Sequence, residues 1–113
     1  MNTLKNKVNL IGRLGVKPEL QTIQGDYRVA NFSLATNERY KNKEGEWQDN
    51  TQWHQLKAWG KIADRIVKLA DKGSEIVVEG RLLNRQYQTK EGEKRYASEI
   101  EVNEFMVISQ KIA

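Results

Sequence analysis

Along most of this chain, hydrophobic residues recur at every second position, the spacing of half-buried β-strands. Residues 7–14, KVNLIGRL, begin the pattern with Val8, Leu10 and Gly12 on one side. Glycine inside a strand often marks a bulge or a sharp bend, so Gly12 and Gly15 are candidates for either, and Pro18 fits an edge or turn. Residues 24–27, QGDY, predict a turn, and RVANFSLAT predicts a second strand whose face Ala30, Phe32, Leu34 points to a core. Residues 37–50, NERYKNKEGEWQDN, are polar with Gly45 near the middle; they read as a long loop or as a protruding hairpin, and they carry Tyr40 and Trp47. A third strand follows in TQWHQLKAWGKI, residues 51–62.

The periodicity then changes. In KIADRIVKLADKG, Ile62, Ile66, Leu69 and Ala70 recur at helical spacing, and Gly73 is placed as the C-terminal cap. A fourth strand is predicted over residues 74–87, SEIVVEGRLLNRQY; the chain turns at Gly92 and returns as YASEIEVNEFMVI. Five strands with one short helix between the third and fourth is the order of an all-β, OB-type five-stranded Greek-key barrel. No internal repeat or linker interrupts it, so residues 1–113 are expected to form one domain.

Composition narrows the chemistry. A formal charge of +4, from 19 basic and 15 acidic residues, permits an anionic partner without demanding one. The chain has no cysteine and a single histidine, which excludes a disulfide scaffold, a cysteine nucleophile, thiolate zinc and a multi-histidine metal site. The N-terminus, MNTLKNKVNLIGRL, lacks the apolar core of a signal peptide, and no run is long enough to span a membrane. Glycine-rich phosphate loops are absent, so no cofactor is expected.

The third strand carries the most informative pattern. By parity, Trp53, Gln55, Lys57 and Trp59 share one face, and His54, Leu56 and Ala58 the other. The small apolar face suits a barrel core. A lysine and a glutamine between two indoles make a poor core but a good stacking surface for single-stranded nucleic acid, with flat rings for bases and cations for phosphates. In the fourth strand, Arg81, Leu83, Arg85 and Tyr87 share a face opposite Ile76, Val78 and Leu82, while Tyr40 lies among Arg39, Lys41 and Lys43. Trp47, Tyr27, Tyr96 and Phe105 are assigned to packing, the commoner fate of an isolated aromatic ring. His54 has no neighbouring motif that supplies a nucleophile or orienting acid, so it reads as a hydrogen-bonded buried or interface residue. Asp64 and Asp71 are expected to be solvent-exposed on the helix.

With TQWHQLKAWGKIAD followed by KGSEIVVEGRLLNRQY, and with VNLIGRLGVKPEL and VANFSLATNERY before them, the sequence resembles the bacterial single-stranded DNA-binding proteins over residues 7–107. The resemblance implies a non-enzymatic OB fold that binds and protects single-stranded DNA in replication, recombination and repair. Carried onto this chain, the stacking positions are Trp53, Trp59, Tyr40 and Tyr87, and the basic contacts are Lys43, Lys61, Lys72 and Arg85. The sequence's own pattern adds Lys57, Arg39, Lys41, Arg81, Arg95 and Lys7 as phosphate contacts. The resemblance also implies a homotetramer paired through the first strand, with His54 supporting assembly, and a cytoplasmic, nucleoid-associated location with no membrane partner.

Departures from the family pattern adjust these expectations. Tyr40, Tyr87 and Trp59 stand where other members carry different aromatics, and Gln55 and Leu83 stand where arginine can occur, which predicts fewer phosphate contacts. The chain ends in VISQKIA without the acidic tip that recruits replication and repair proteins in many members, so tail-dependent partners are not expected of this chain. Two other readings remain open at this level: a dimeric primosome-type accessory OB paralog, and an OB module used mainly for protein interaction.

Overall fold

The computed structural model describes residues 3–23 and 25–109. Gln24 of the predicted turn, and residues 110–113 of the predicted tail-less end, lie outside the described residues. After a short 3-10 turn, Thr3–Asn6, come β1 (Val8–Leu14), β2 (Glu19–Ile23), β3 (Tyr27–Lys41), β4 (Trp47–Trp59), helix α1 (Gly60–Leu69), β5 (Glu75–Gln88) and β6 (Lys94–Ser109). Sheet order is β1-β5-β6-β4-β3-β2, and an additional β1–β3 pairing closes β1, β5, β6, β4 and β3 into a barrel. The expected five-stranded barrel is present, with the helix between its third and fourth strands.

β1 serves two neighbours. Its residues Val8 to Arg13 pair with β5, and Arg13 and Leu14 also pair with Ala35 and Leu34 of β3. Gly12 sits at this crossing, where a Cβ would collide with the Ala35 carbonyl oxygen. Gly80 has the corresponding role on β5, beside a register shift and against the Glu101 carbonyl oxygen. Strand glycines thus let backbones approach closely, Gly12 at the closing β1–β3 contact and Gly80 at the β5–β6 irregularity.

The alternation read from the sequence sets the core. Ala30, Phe32 and Leu34 of β3, Leu56 and Ala58 of β4, Ile76 and Val78 of β5, and Ile100 and Val102 of β6 are buried together. One row across the sheet runs Phe32, Leu56, Ile100, Leu82. Leu82, which parity puts on the face of Ile76 and Val78, is 41% exposed at the end of that row.

Helix α1 buries Ala63 and Ile66 against this core, while Leu69 is exposed. It ends four residues before the predicted glycine cap. Ala70 is already extended, although its N–H still reaches the Ile66 carbonyl. Gly73, at φ +86°, lies instead in the following turn and donates its N–H to the Leu14 carbonyl, tying the turn to β1. Asp71 is exposed as expected, whereas Asp64 is half-buried and bridges α1 to β3 through Arg28 at 2.8 Å.

One strand was not expected, and of the two alternatives for residues 37–50 the hairpin is the one present. ELQTI, unassigned in the sequence reading, forms β2 by pairing with residues Tyr27 to Asn31 of β3. Residues 37–50 form a hairpin: β3 and β4 stay paired out to Lys41 and Trp47, so the third barrel strand begins at Trp47. The Asn42 side chain organises the turn by accepting the Glu44 and Glu46 N–H groups at 3.0 and 2.8 Å, and Gly45 supplies the positive φ. β5 and β6 form a second arm, paired out to Gln88 and Lys94 and exposed on both faces beyond Asn84. With both arms the molecule reaches 55 Å in its longest dimension.

Candidate nucleic-acid interface

The site is built on the outward face of β4. Antiparallel register with β3 places Trp53 opposite Ala35, Gln55 opposite Ser33, Lys57 opposite Asn31 and Trp59 opposite Val29. Opposed residues share a face, so the small Ala35 flanks Trp53, while Trp59 lies beside the fully buried Val29. Trp53 is 60% exposed and Trp59 38%. The Trp53 ring lies against Gly15. The Lys57 ammonium stands 5.7 Å from the centre of the Trp59 ring.

This face continues across the barrel. Lys57 pairs in parallel register with Glu101, which is opposite Arg81, so Asn31, Lys57, Glu101 and Arg81 form one row over four strands. Leu83, Arg85 and Tyr87 extend that face along the β5 arm, where Arg95 stands opposite Tyr87. Tyr87 is 49% exposed. Tyr40 is equally open at 52% but points to the other side of its hairpin, opposite Gln48 and in line with Glu38 and Asn50. The structure thus brings Trp53, Trp59 and Tyr87 onto one continuous outer surface and puts Tyr40 on the reverse of the β3–β4 arm.

The ten candidate cations divide into two sets. Lys43, Lys61, Lys72 and Arg85 have no ion pair among the described residues. The other six are engaged: Lys7 with Glu79 at 3.0 Å, Arg39 with Asp49 at 3.5 Å, Lys57 with Glu99 at 3.4 Å, Arg81 with Glu101 at 3.5 Å and Arg95 with Glu93 at 2.9 Å. Lys41 stands over the Trp47 ring at 5.6 Å. Lys57 and Glu99 are the most enclosed of these pairs, with side chains 20% and 15% exposed.

His54 lies on the core side of β4, opposite Leu34, half-buried, with Nε2 2.9 Å from Thr36 Oγ1. No group of three or more metal-ligating side chains occurs among the described residues. No helix among the described residues is long and apolar enough to cross a membrane.

Three rings assigned to packing are on the surface instead: Trp47 is 59% exposed, Tyr27 70% and Tyr96 73%. Trp47 and Tyr96 belong to the arms, past the end of the core, and Tyr27 begins β3 beside Ile23. Phe105 does pack against the core, beneath the Arg65 guanidinium at 5.2 Å. Trp47 also shares the odd-numbered face of Trp53 and Trp59, which parity shows once β4 is started at its true first residue.

Comparison with known proteins places this geometry. Residues 5–108 match the family model described as the single-strand binding protein family. The chain is 41% identical over 107 residues to single-stranded DNA-binding protein 1 of Chlorobaculum tepidum, covering 94% of this chain and 66% of that protein. It is 36% identical over 107 residues to single-stranded DNA-binding protein 1 of Xylella fastidiosa, covering 94% and 79%. Among solved structures, the Plasmodium falciparum SSB in complex with ssDNA superposes with a TM-score of 0.81 at 34% identity, covering 94% of this chain and 95% of that one. A deletion mutant of the single-stranded DNA-binding protein from Thermus aquaticus gives 0.80 at 25% identity, covering 92% and 50%.

Proposed function

This chain belongs to the single-strand binding protein family, and from that premise we propose that it binds single-stranded DNA without sequence preference and protects it during replication, recombination and repair. It acts by binding, not by catalysis. The observation that carries the reading is the outward face of β4: two exposed indoles with a lysine between them, over an otherwise conventional barrel core.

Stacking on a ring needs a base face that is not covered by a duplex neighbour, so such a surface selects single strands. Single-strand binding proteins are themselves the standard case of this chemistry, in which each base–ring stack is worth about 1–3 kcal/mol by alanine substitution. Trp53 and Trp59 take bases on the barrel, and Tyr40 and Tyr87 take bases on the two arms. Lys43, Lys61, Lys72 and Arg85 meet phosphates directly, while Lys57, Arg81, Arg39, Arg95 and Lys7 do so by exchanging a carboxylate partner for a phosphate. Lys41 does so from its place beside Trp47.

The protein works as a homotetramer. What supports self-association is an apolar row on the outward face of β1, β5 and β6, formed by Ile11, Val77 and Met106, in which Ile11 is 58% and Met106 64% exposed. His54, bonded to Thr36 of its own chain, holds the β3–β4 region in the form that assembles.

Intrinsic tryptophan fluorescence titrated with oligo-dT and with duplex DNA, at two salt concentrations, tests the reading. Strong quenching by the single strand alone is expected, weakening as salt rises. Equal binding to duplex, or no quenching, would sink it. Light scattering on the same sample reports the tetramer.

A further inference from the structure

We propose that Trp47 is a further base-stacking residue, carrying the single strand from the barrel out along the β3–β4 arm. The inference rests on the single-strand-binding reading and deepens it.

Three observations point the same way. The register puts Trp47 on the face of Trp53 and Trp59, each six residues from the next along β4. At strand rise that is a spacing of about 20 Å between successive rings, so the three make one line along a single strand. The ring is also open: it is 59% exposed at the end of the arm, where no core lies beneath it. Finally, the cations are in place. The Arg39 guanidinium lies 5.4 Å and the Lys41 ammonium 5.6 Å from the ring centre, from the residues diagonal and opposite to Trp47 on β3.

The electrostatics favour an anionic aromatic ligand. Asp49, the carboxylate on this side of the arm, is held by Arg39 through an exposed contact of 3.5 Å. Glu38 and Tyr40 point to the reverse side. A ring flanked by two cations suits a base stacked on the indole and a phosphate beside it.

Two variants of the full chain test this. Trp53→Phe combined with Trp59→Phe keeps stacking rings on the barrel and leaves Trp47 as the sole indole. Its emission is expected to fall as labelled oligo-dT binds, with binding followed independently by anisotropy. Trp47→Ala, otherwise unaltered, is expected to weaken oligo-dT binding about fivefold to 150-fold, the range for one stacked base, with melting temperature and mass unchanged. Trp47 emission that stays constant while anisotropy reports binding would overturn the assignment and leave the general reading intact. So would a change of assembly size in Trp47→Ala, which would make the ring a contact between copies. A native chain that fails to bind labelled oligo-dT would overturn both.

Discussion

The Trp53 ring lies so close to the backbone of Gly15 that a Cβ there would sit 2.6 Å from Cζ3 and 3.0 Å from Cη2. An indole that is largely exposed is thus seated on the loop after β1, which fixes its plane without burying it. Gly15→Ala forces the ring aside, because the nearest obstructing atom belongs to the far end of a side chain that can swing, with Ser33 Oγ also 3.0 Å away. The expected result is weaker oligo-dT binding by up to about 1 kcal/mol, part of what one stack contributes, with a stability loss smaller than that. Fluorescence titration and a thermal melt measure the two; a full loss of stability with unchanged affinity would contradict the account.

Gly12 gives the opposite pattern. There a Cβ meets the Ala35 carbonyl oxygen, and backbone cannot swing away as a side chain can. Gly12→Ala must prise β1 from β3 where the barrel closes, at a cost of about 1–3 kcal/mol. Denaturant melts should show the loss, and oligo-dT affinity measured well below the transition should stay near that of the parent. A melt unchanged from the parent would mean that the strands part without cost.

The barrel was legible in the sequence because alternation identifies a half-buried strand directly, and Leu56 and Ala58 fall inside as parity requires. β2 was not, since ELQTI is exposed at every position and its pairing with β3 leaves no hydrophobic signature. Trp47 was missed for a related reason. Starting the third strand at Thr51 cut the ring out of its register, and only the continuous β3–β4 ladder restores it. The engagement of Lys57 by Glu99 was also hidden, since those residues are 42 positions apart and meet only through the parallel contact of β4 with β6.

The division among the cations predicts a salt signature. Lys43, Lys61, Lys72 and Arg85 carry no carboxylate partner among the described residues, so each meets a phosphate at no electrostatic cost. Replacing any one of them by alanine is expected to flatten the log–log dependence of affinity on salt by about 0.7, the value per neutralised phosphate on a single strand. Arg95→Ala, which also frees Glu93, should change the slope by less, because the native pair must open before Arg95 can contribute. Titrations at four or five salt concentrations resolve the difference, and equal slopes for both kinds of variant would refute it.

The Lys57–Glu99 pair yields a prediction whose sign runs against removal of a mere surface charge. With side chains 20% and 15% exposed, the pair is sheltered from solvent, and the lysine also stands beside the Trp59 ring. Lys57→Ala strands the Glu99 carboxylate on the binding face, so it should cost about 1–3 kcal/mol of stability and weaken oligo-dT binding as well. Glu99→Gln keeps the shape and removes the competing anion, freeing Lys57 for phosphate. This variant is expected to bind oligo-dT more tightly than the parent, with a salt slope steeper by at most about 0.7. If Glu99→Gln instead binds more weakly, the carboxylate is needed to position Lys57 beside Trp59, and the pair is part of the stacking platform itself.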